Sequence, residues 1–453
     1  MKEKLDFYSR LLIGSLLFGL FFGAGNLIFP VHMGQLAGSN TLKATIGFLI
    51  TGVGLPLLGV IASAISQSES LFDMAKPVSR AYSIFFTCML YLTIGPLFAI
   101  PRTATVAFEI GTSPFIKEEY IQIGLFVFSL VFFAITLYFS LKPGRILDWV
   151  GKYLTPVFLV LLSVLLIATY IKPMGRVSQF EPQGSYVDKA FFTGMLEGYN
   201  TMDALASLAF AIVIISNIEK LGVKNPKGKA IETWKSGLVC IAGMSAVYAS
   251  LAYMGATSLG RVSRADNGGK IMSMVSENYF GFIGKVLLAA IVTVACLKTA
   301  IGLITSCSQM FSEMFPKSAS YNKYAVIFTV FSFIIANFGL NKIIQLSIPV
   351  LMFLYPLAIT LIILSLLAPV INKQSIIYRW TTILTMMAAL FDLCNSLPKA
   401  LKETAVMKKI IDFAHIYLPG FDYGFGWIIP ALAGFIIGTV ICKIKTGTII
   451  KKG

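Results

Sequence analysis

Long apolar runs recur along the whole chain and limit what it can fold into. Runs long enough to cross a hydrocarbon core of ~30 Å lie at roughly 10–37, 42–67, 80–109, 119–141, 146–171, 189–218, 230–259, 280–314, 324–339, 343–370, 376–397 and 425–442. Only helices or closed barrels satisfy the backbone inside lipid, and runs of this length are typical of helices. The sequence therefore predicts an all-α polytopic membrane protein with about twelve transmembrane helices and both termini on one side.

Composition agrees with this class and excludes others. Of the 453 residues, 57% are hydrophobic, and the mean hydropathy is +0.80. The net charge of +16 is explained by lysines in loops at a lipid surface, so no nucleic-acid partner is expected. Lysine and arginine are more frequent in the loops on the side of the termini, which favours cytoplasmic termini. Six cysteines without CxxC spacing and two distant histidines predict no disulfide or transition-metal site. The sequence contains no cluster of a nucleophile and a base of the kind that would indicate an enzyme, and we expect no cofactor.

The first apolar run carries an interruption at Gly23-Ala24-Gly25-Asn26, followed directly by Leu27. Two glycines and an asparagine disfavour an unbroken helix. A break persists at membrane depth only where protein encloses it or where it lines a watery cavity. Freed carbonyls there can hold a cation, and the new helix N-terminus can hold a carboxylate. Gly19 and Gly23 also form a small-residue packing face, so this stretch alone favours packing and a binding site equally.

The sixth run carries a second interruption, which spans Glu197-Gly198-Tyr199-Asn200-Thr201-Met202-Asp203. Ionisable residues at membrane depth are costly and indicate a functional site. The alternative is that Glu197 and Asp203 lie near a membrane interface and face water. Breaks in the first and sixth runs are what an inverted repeat of five plus five helices produces. We therefore predict one transmembrane domain over 1–453, with repeats at 10–171 and 189–370 and two additional helices at 376–442. A zwitterionic amino acid with Na⁺ beside it fits the opposed dipoles of the two breaks.

A polar stripe in the eighth run contains Lys298, Thr299, Thr305 and Ser306. Hydroxyls together with freed carbonyls are hard oxygen ligands that suit Na⁺. The alternative is that the hydroxyls bond to carbonyls one turn back or bridge neighbouring helices. Lys298 either faces a cavity, where its charge would partly replace Na⁺, or extends to water.

Two further charges lie in the third run. Arg102 and Glu109 are seven residues apart and share a helix face. They form an outer gate or a fixed ion pair, or the arginine reaches the interface. Asp203 is expected to be a buried partner for a cation, an ammonium group or a backbone N–H.

Four stretches resemble the branched-chain amino acid:cation symporter family of the BrnQ type. They are LFFGAGNLIFP at 20–30, IGPLFAIPRTATVAFEIG at 94–111, LEGYNTMDALASLAFAIVI at 196–214 and KTAIGLITSCSQMFSEMFP at 298–316. The resemblance covers essentially the whole chain. It implies a LeuT-like fold with broken helices 1 and 6, and alternating-access import of leucine, isoleucine and valine coupled to Na⁺ across the bacterial cell membrane. Coupling to H⁺ or to no ion is the alternative, and a channel is a weaker one.

The resemblance also implies site residues. The substrate would contact the two breaks, at Gly23, Ala24, Gly25, Asn26, Leu27, Gly198, Tyr199, Asn200 and Thr201. The sodium ion would be held by Asn26, Thr305 and Ser306 with carbonyls near Gly19 and Phe22. The family has a hydroxyl residue beside Thr299, where this chain has Lys298, so the coupling ion stays open. The preference among the three amino acids and the oligomeric state cannot be predicted from the sequence.

Overall fold

The computed structural model describes residues 4–142 and 155–446, so the start of the predicted fifth span at 146–171 lies outside it. The described ranges contain helices and loops and no strand. The first ten α-helices are α1 Phe7–Phe21, α2 Ala24–Ala37, α3 Thr41–Leu49, α4 Leu55–Ser66, α5 Leu71–Ala75, α6 Arg80–Leu92, α7 Ala99–Gly111, α8 Ile121–Ser140, α9 Thr155–Ile171 and α10 Ala190–Tyr199. The remaining ten are α11 Asp203–Lys220, α12 Pro226–Ser258, α13 Gly268–Met314, α14 Tyr321–Ala336, α15 Leu340–Leu366, α16 Ala368–Ile371, α17 Ser375–Asn395, α18 Lys399–Lys402, α19 Ala405–Tyr417 and α20 Ile428–Thr446.

The first predicted interruption is present between α1 and α2. Phe22 (φ −74°, ψ 100°) and Gly23 (φ −122°, ψ −172°) are extended. The helix restarts at Ala24, where Asn26 Oδ1 accepts a hydrogen bond from the Gly23 N–H at 3.0 Å. This bond satisfies a backbone donor that the break would otherwise leave unpaired.

The second predicted interruption lies between α10 and α11, which meet at 44°. Met202 adopts a left-handed conformation (φ 62°, ψ 12°), which is uncommon for a residue other than glycine. Asp203 then starts α11, a position where a carboxylate interacts favourably with the positive end of the helix.

Other spans are also irregular. A π-helical turn at Ile50–Gly54 separates α3 from α4, and another at Thr93–Leu97 separates α6 from α7. Gly95 inside the second turn is non-helical (φ −105°, ψ −127°). Gly281 (φ 62°) bends the long helix α13. The sequence reading did not identify these three irregularities.

Glycines let each broken helix pack closely on a neighbouring helix. In α2 and α12, Gly34 lies against the backbone of Ala252, and Gly255 lies against the backbone of Val31. In α3 and α10, Gly47 and Gly194 each contact the facing backbone in the same way, at Phe191 and Ala44 respectively. Such close approach is typical of small-residue contacts between membrane helices.

Among the residues that the structure describes, eight helical stretches are long and apolar enough to cross a membrane by length and composition, or nine if the bent α10–α11 pair is one span. Three shorter apolar helices add to these, Phe7–Phe21, Leu162–Ile171 and Tyr321–Ala336. The count of twelve, the division into repeats at 10–171 and 189–370, and the two additional helices at 376–442 stay predictions.

Candidate functional site

A central cavity lies between the two breaks. Its walls come from α1, α2, α7, α11 and α13 and from the segments that connect the broken helices. The polar or charged side chains that line it are Asn26, Arg102, Thr103, Thr201, Asp203 and Thr299. Its larger apolar side chains are Leu20, Phe21, Ile94, Met202, Phe210 and Leu303. The cavity therefore combines one cation, one carboxylate and an apolar wall.

Asp203 is the acceptor in a buried hydrogen-bond network. Its side chain is 2% exposed, and Oδ2 accepts a bond from Asn26 Nδ2 at 2.6 Å and one from Tyr248 Oη at 3.0 Å. Asn26 Nδ2 also contacts Tyr248 Oη, and the Asp203 N–H donates to Thr201 Oγ1 at 3.3 Å. The network joins the two breaks to α12, and it places a carboxylate at the edge of the cavity. That carboxylate can bind a cation or an ammonium group.

Arg102 lies on the opposite wall, in α7. It is 2% exposed, its Nη1 donates to the Asn200 carbonyl at 2.5 Å, and its guanidinium carbon lies 5.0 Å from the ring centre of Phe29. Asn200 and Phe29 line a second cavity, together with Ile28, His32, Glu197, Asp266 and Gln345. Arg102 thus lies between the two cavities. The predicted fixed pair with Glu109 is not formed: Glu109 Oε2 is buried and bonds to no group of the described residues, and Glu109 Cβ lies near Gly269 at the start of α13.

The glycines of the first break face space or ordinary contacts. A Cβ on Gly19 would meet nothing within 4 Å, and one on Gly23 would come no closer than 3.6 Å to any neighbour. A Cβ on Gly25 would lie 3.3 Å from the Phe29 ring and 3.4 Å from Arg102 Nη1. The packing role that the sequence left open for Gly19 and Gly23 is therefore absent, and Gly23, Ala24 and Gly25 line the cavity.

The residues of the second break lie in different surroundings. Thr201 lines the central cavity, whereas Asn200 lines the second cavity and bonds to Glu197 Oε2 at 3.0 Å. Gly198 lies against Thr51 in the π-helical turn of the second span. Tyr199 stacks on Tyr355 at 3.9 Å between ring centres. Leu27 of the first break is also buried, and neither it, Gly198 nor Tyr199 lines the central cavity.

Thr305 and Ser306, the hydroxyl residues that the family resemblance implies as Na⁺ ligands, lie further along α13 than the cavity. Thr299 and Leu303 line the cavity, but Thr305 and Ser306 do not. Thr299 Cγ2 lies 3.7 Å from the position of a Cβ on Gly23, whereas Thr305 is six residues or ~9 Å further along the helix. Phe22 stacks on Phe18 and Tyr248. Lys298 is half-buried and is not part of the cavity lining.

Sequence reasoning missed Tyr248. It lies within an apolar stretch of α12 that contains two tyrosines, Tyr248 and Tyr253, and their spacing does not indicate which of them faces the breaks. Thr299 was named as part of the polar stripe but was not given a role at the break. Its position four residues before Leu303, on the same helix face, agrees with both residues lining the cavity.

Solved structures with a similar fold include two conformations of Mhp1. An inward-facing conformation of Mhp1 matches with a TM-score of 0.57 at 13% identity, covering 96% of this chain and 91% of that chain. A closed conformation of Mhp1, a nucleobase-cation-symport-1 family transporter, with bromovinylhydantoin bound, matches with a TM-score of 0.56 at 12% identity, covering 97% and 93%. The predicted LeuT-like, all-α fold class is confirmed.

Sequence comparison gives the family. A family model described as branched-chain amino acid transport protein matches residues 7–445. The chain is 48% identical over 438 residues to the branched-chain amino acid permease BrnQ of Lactobacillus delbrueckii subsp. lactis, covering 96% of this chain and 97% of the relative. It is 42% identical over 443 residues to the branched-chain amino acid permease BraB of Bacillus subtilis (strain 168), covering 97% of both. The relatives are named as permeases, not enzymes, and this chain is a multi-pass membrane protein that belongs to the branched-chain amino acid transport protein family.

Proposed function

We propose that the protein imports leucine, isoleucine and valine across the bacterial cell membrane by alternating access, coupled to Na⁺, with both termini in the cytoplasm. The observation that carries the proposal is the composition of the central cavity. Arg102 and Asp203 offer one positive and one negative group, and side chains such as Leu20, Phe210 and Leu303 offer an apolar wall. A zwitterion with a branched aliphatic side chain matches all three features.

Burial explains why such a cavity would select these substrates. Charged groups in a low-dielectric site interact more strongly than in water, so the two ends of an amino acid would be held firmly. A polar substrate side chain would lose its hydration against the apolar wall without gaining a hydrogen bond, which costs free energy. The aliphatic side chains of leucine, isoleucine and valine gain free energy there, at about 25 cal/mol per Å² of apolar surface buried.

For the coupling ion, we propose a site beside the first break. The carbonyls near Gly19 and Phe22 remain candidate ligands, as the family resemblance implies. Thr299 of α13 lies next to Gly23 through its methyl group, and its hydroxyl donates to the Ala295 carbonyl at 3.1 Å. The lone pairs of that hydroxyl oxygen can still bind a cation, so we propose Thr299 as a ligand in addition to Thr305 and Ser306. Moving one positive charge inward gains ~2.3 kcal/mol per 100 mV. One Na⁺ therefore supports more than tenfold accumulation of substrate, because ~1.4 kcal/mol corresponds to a factor of ten.

Coupling to H⁺ is the second candidate, and Asp203 is the observation that favours it. A buried carboxylate beside the cavity is able to bind a proton in place of a sodium ion, at the oxygen other than Oδ2, which already accepts two hydrogen bonds. Intramembrane carboxylates are typical of proton relays. A channel lacks such support, because the polar side chains of the cavity cluster at the breaks.

The test is uptake of labelled leucine into proteoliposomes that contain the purified protein. Imposed Na⁺ and H⁺ gradients are compared at the same membrane potential, with protein-free liposomes as the control. We expect saturable accumulation above the external concentration under an inward Na⁺ gradient. Accumulation driven only by the H⁺ gradient would replace Na⁺ by H⁺ in the proposal. Uptake that never exceeds the external concentration would contradict secondary active transport.

A further inference from the structure

The guanidinium group of Arg102 is buried beside the cavity with incomplete hydrogen bonding. Nη1 donates to the Asn200 carbonyl at 2.5 Å, but Nη2 has only long contacts, 3.5 Å to Ser347 Oγ and 4.0 Å to the Met202 sulfur. Nε is buried and makes no hydrogen bond with any side chain or backbone group of the described residues. Nε and Nη2 form the edge of a guanidinium that usually binds a carboxylate through two parallel hydrogen bonds.

A second positive feature lies at the same place. Helix α2 starts at Ala24, and the first N–H groups of a helix have no partner within it. Arg102 Nη1 lies 3.4 Å from the position that a Cβ on Gly25 would occupy. The guanidinium therefore lies next to the positive end of α2, and both border the central cavity. Two cationic features that converge on one cavity favour an anion there.

The negative side of the cavity is separate from this position. Asp203 starts α11 and is held by Asn26 and Tyr248, and its Oδ2 already accepts two hydrogen bonds. In the described part of the chain, Arg102 bonds to the Asn200 carbonyl and Asp203 bonds to Asn26 and Tyr248, and the two side chains form no ion pair with each other. Because each charge is bonded to other groups and not to the other, each is available to the opposite end of a zwitterion.

We propose that Arg102 binds the α-carboxylate of the transported amino acid, together with the first N–H groups of α2, and that it selects substrates that carry this group. The proposal rests on the proposed transport of branched-chain amino acids and assigns Arg102 a binding role in it. The carboxylate forms hydrogen bonds with Nε and Nη2, while Nη1 stays on the Asn200 carbonyl. The aliphatic side chain then extends along the apolar wall formed by residues such as Leu20 and Phe210.

The alternative is a purely structural arginine. Its bond to Asn200 and its position over Phe29 would then only connect α7 to the second break and to α2. A structural role predicts that removal of the guanidinium weakens binding of every ligand equally. A carboxylate-binding role predicts a loss that depends on whether the ligand has a carboxylate.

The experiment measures displacement of labelled leucine from the purified full-length protein by unlabelled leucine and by leucinamide. Leucinamide keeps the ammonium group and the side chain, but a neutral amide replaces the carboxylate. We expect wild type to bind leucine far more tightly than leucinamide. In Arg102→Gln, leucine binding should weaken about 10- to 100-fold, because hydrogen bonds to charged groups contribute ~1.5–3 kcal/mol. Leucinamide binding should change by less than about threefold, which is below ~0.7 kcal/mol.

Arg264→Gln is the matched control, because Arg264 is an exposed arginine that bonds to the Glu181 carbonyl away from the cavity. Its preference for leucine should equal that of wild type. If Arg102→Gln does not fold, Arg102→Lys decides, since lysine keeps the charge and loses the two-pronged geometry. Arg102→Lys should weaken leucine more than leucinamide.

Parallel weakening of both ligands in either variant would overturn the proposal, and so would equal binding of leucine and leucinamide by wild type. In those cases leucine binding itself persists and the proposed function stands. Wild type that neither binds nor transports leucine would instead contradict the proposed function.

Discussion

Asn26 donates a hydrogen bond to Asp203 over 2.6 Å, and this contact joins two helix breaks that are 177 residues apart in the sequence. Tyr248 of α12 contacts both residues. The two breaks are therefore coupled directly, and the carboxylate that couples them also borders the central cavity.

The charge of Asp203 is the first thing to test. Asp203→Asn keeps hydrogen-bonding capacity and removes the charge, whereas Asp203→Ala removes both. If the carboxylate binds a cation or the substrate ammonium group, both variants should lose at least about tenfold in leucine uptake, equivalent to ~1.4 kcal/mol. Tyr248→Phe removes one donor and should cause a smaller loss. Full uptake by Asp203→Asn with loss in Asp203→Ala would make Asp203 a structural residue.

The two glycines of the first break should differ in their tolerance of a methyl group. A Cβ on Gly25 would press on Phe29 and on Arg102 Nη1, whereas a Cβ on Gly23 meets only ordinary contacts. Gly25→Ala should therefore reduce leucine uptake severalfold, and Gly23→Ala should retain most of it. Leucine at either position should abolish uptake without preventing membrane insertion, because it fills the cavity. Normal uptake by Gly25→Leu would contradict a binding role for this break.

Sodium dependence distinguishes the candidate hydroxyl ligands on α13. Thr299→Val removes the hydroxyl of the α13 side chain that lies next to the first break and preserves the shape of the side chain. We expect it to raise the Na⁺ concentration for half-maximal uptake more than it changes leucine affinity at saturating Na⁺. Thr305→Val and Ser306→Ala lie outside the cavity lining and should have smaller effects. A larger effect of Thr305→Val would favour the Na⁺ site at Thr305 and Ser306 that the family resemblance implies.

Lys298 stands beside Thr299, so its charge should influence the coupling ion. Leucine uptake by wild type and Lys298→Thr is compared across Na⁺ concentrations at two pH values. If the ammonium group acts on the ion site, Lys298→Thr should create or sharpen the Na⁺ dependence, because a repelling charge is removed. Identical responses of the two proteins would mean that Lys298 has no part in coupling.

An ion pair between α1 and α12 should contribute to stability. Arg10 Nε lies 2.7 Å from Glu232 Oε2 and Nη2 lies 3.1 Å from Oε1, and Glu232 is fully buried. Arg10→Gln leaves this buried carboxylate with only Lys235 at 3.7 Å, and an incompletely paired buried charge is destabilising. The midpoint of thermal unfolding in detergent should fall more than in the control Lys229→Gln, which breaks a more exposed pair with Glu219. Equal midpoints would show that the pair contributes nothing.

The positions of both breaks were predictable because they depend on local backbone chemistry. Gly23 and Gly25 interrupt an apolar run that would otherwise form one helix, and the 197–203 stretch places ionisable and small residues where lipid penalises them. These signals are contained in a few consecutive residues, so they need no knowledge of neighbouring helices.

The partners across the cavity were not predictable, because they depend on how distant helices meet. Tyr248 reaches Asp203 only because glycine contacts hold α12 close to α2. Arg102 and Glu109 share a helix face, yet α7 turns Arg102 toward Asn200 and leaves Glu109 beside Gly269. Thr305 illustrates the same limit. The helix period predicts which face of α13 this residue lies on, but not at which level along α13 the first break lies.

The glycine contacts have a mechanical consequence. Gly34 and Gly255 bring the backbones of α2 and α12 together, and Gly47 and Gly194 do the same for α3 and α10. Backbone surfaces without intervening side chains have no rotamers to rearrange, so sliding between them meets immediate steric resistance. We therefore expect each of the two helix pairs, α2 with α12 and α3 with α10, to move as one rigid unit during a transport cycle. We then expect bending to be concentrated where long side chains meet, such as Arg102 over Phe29, and in the extended residues Phe22 and Gly23 between α1 and α2.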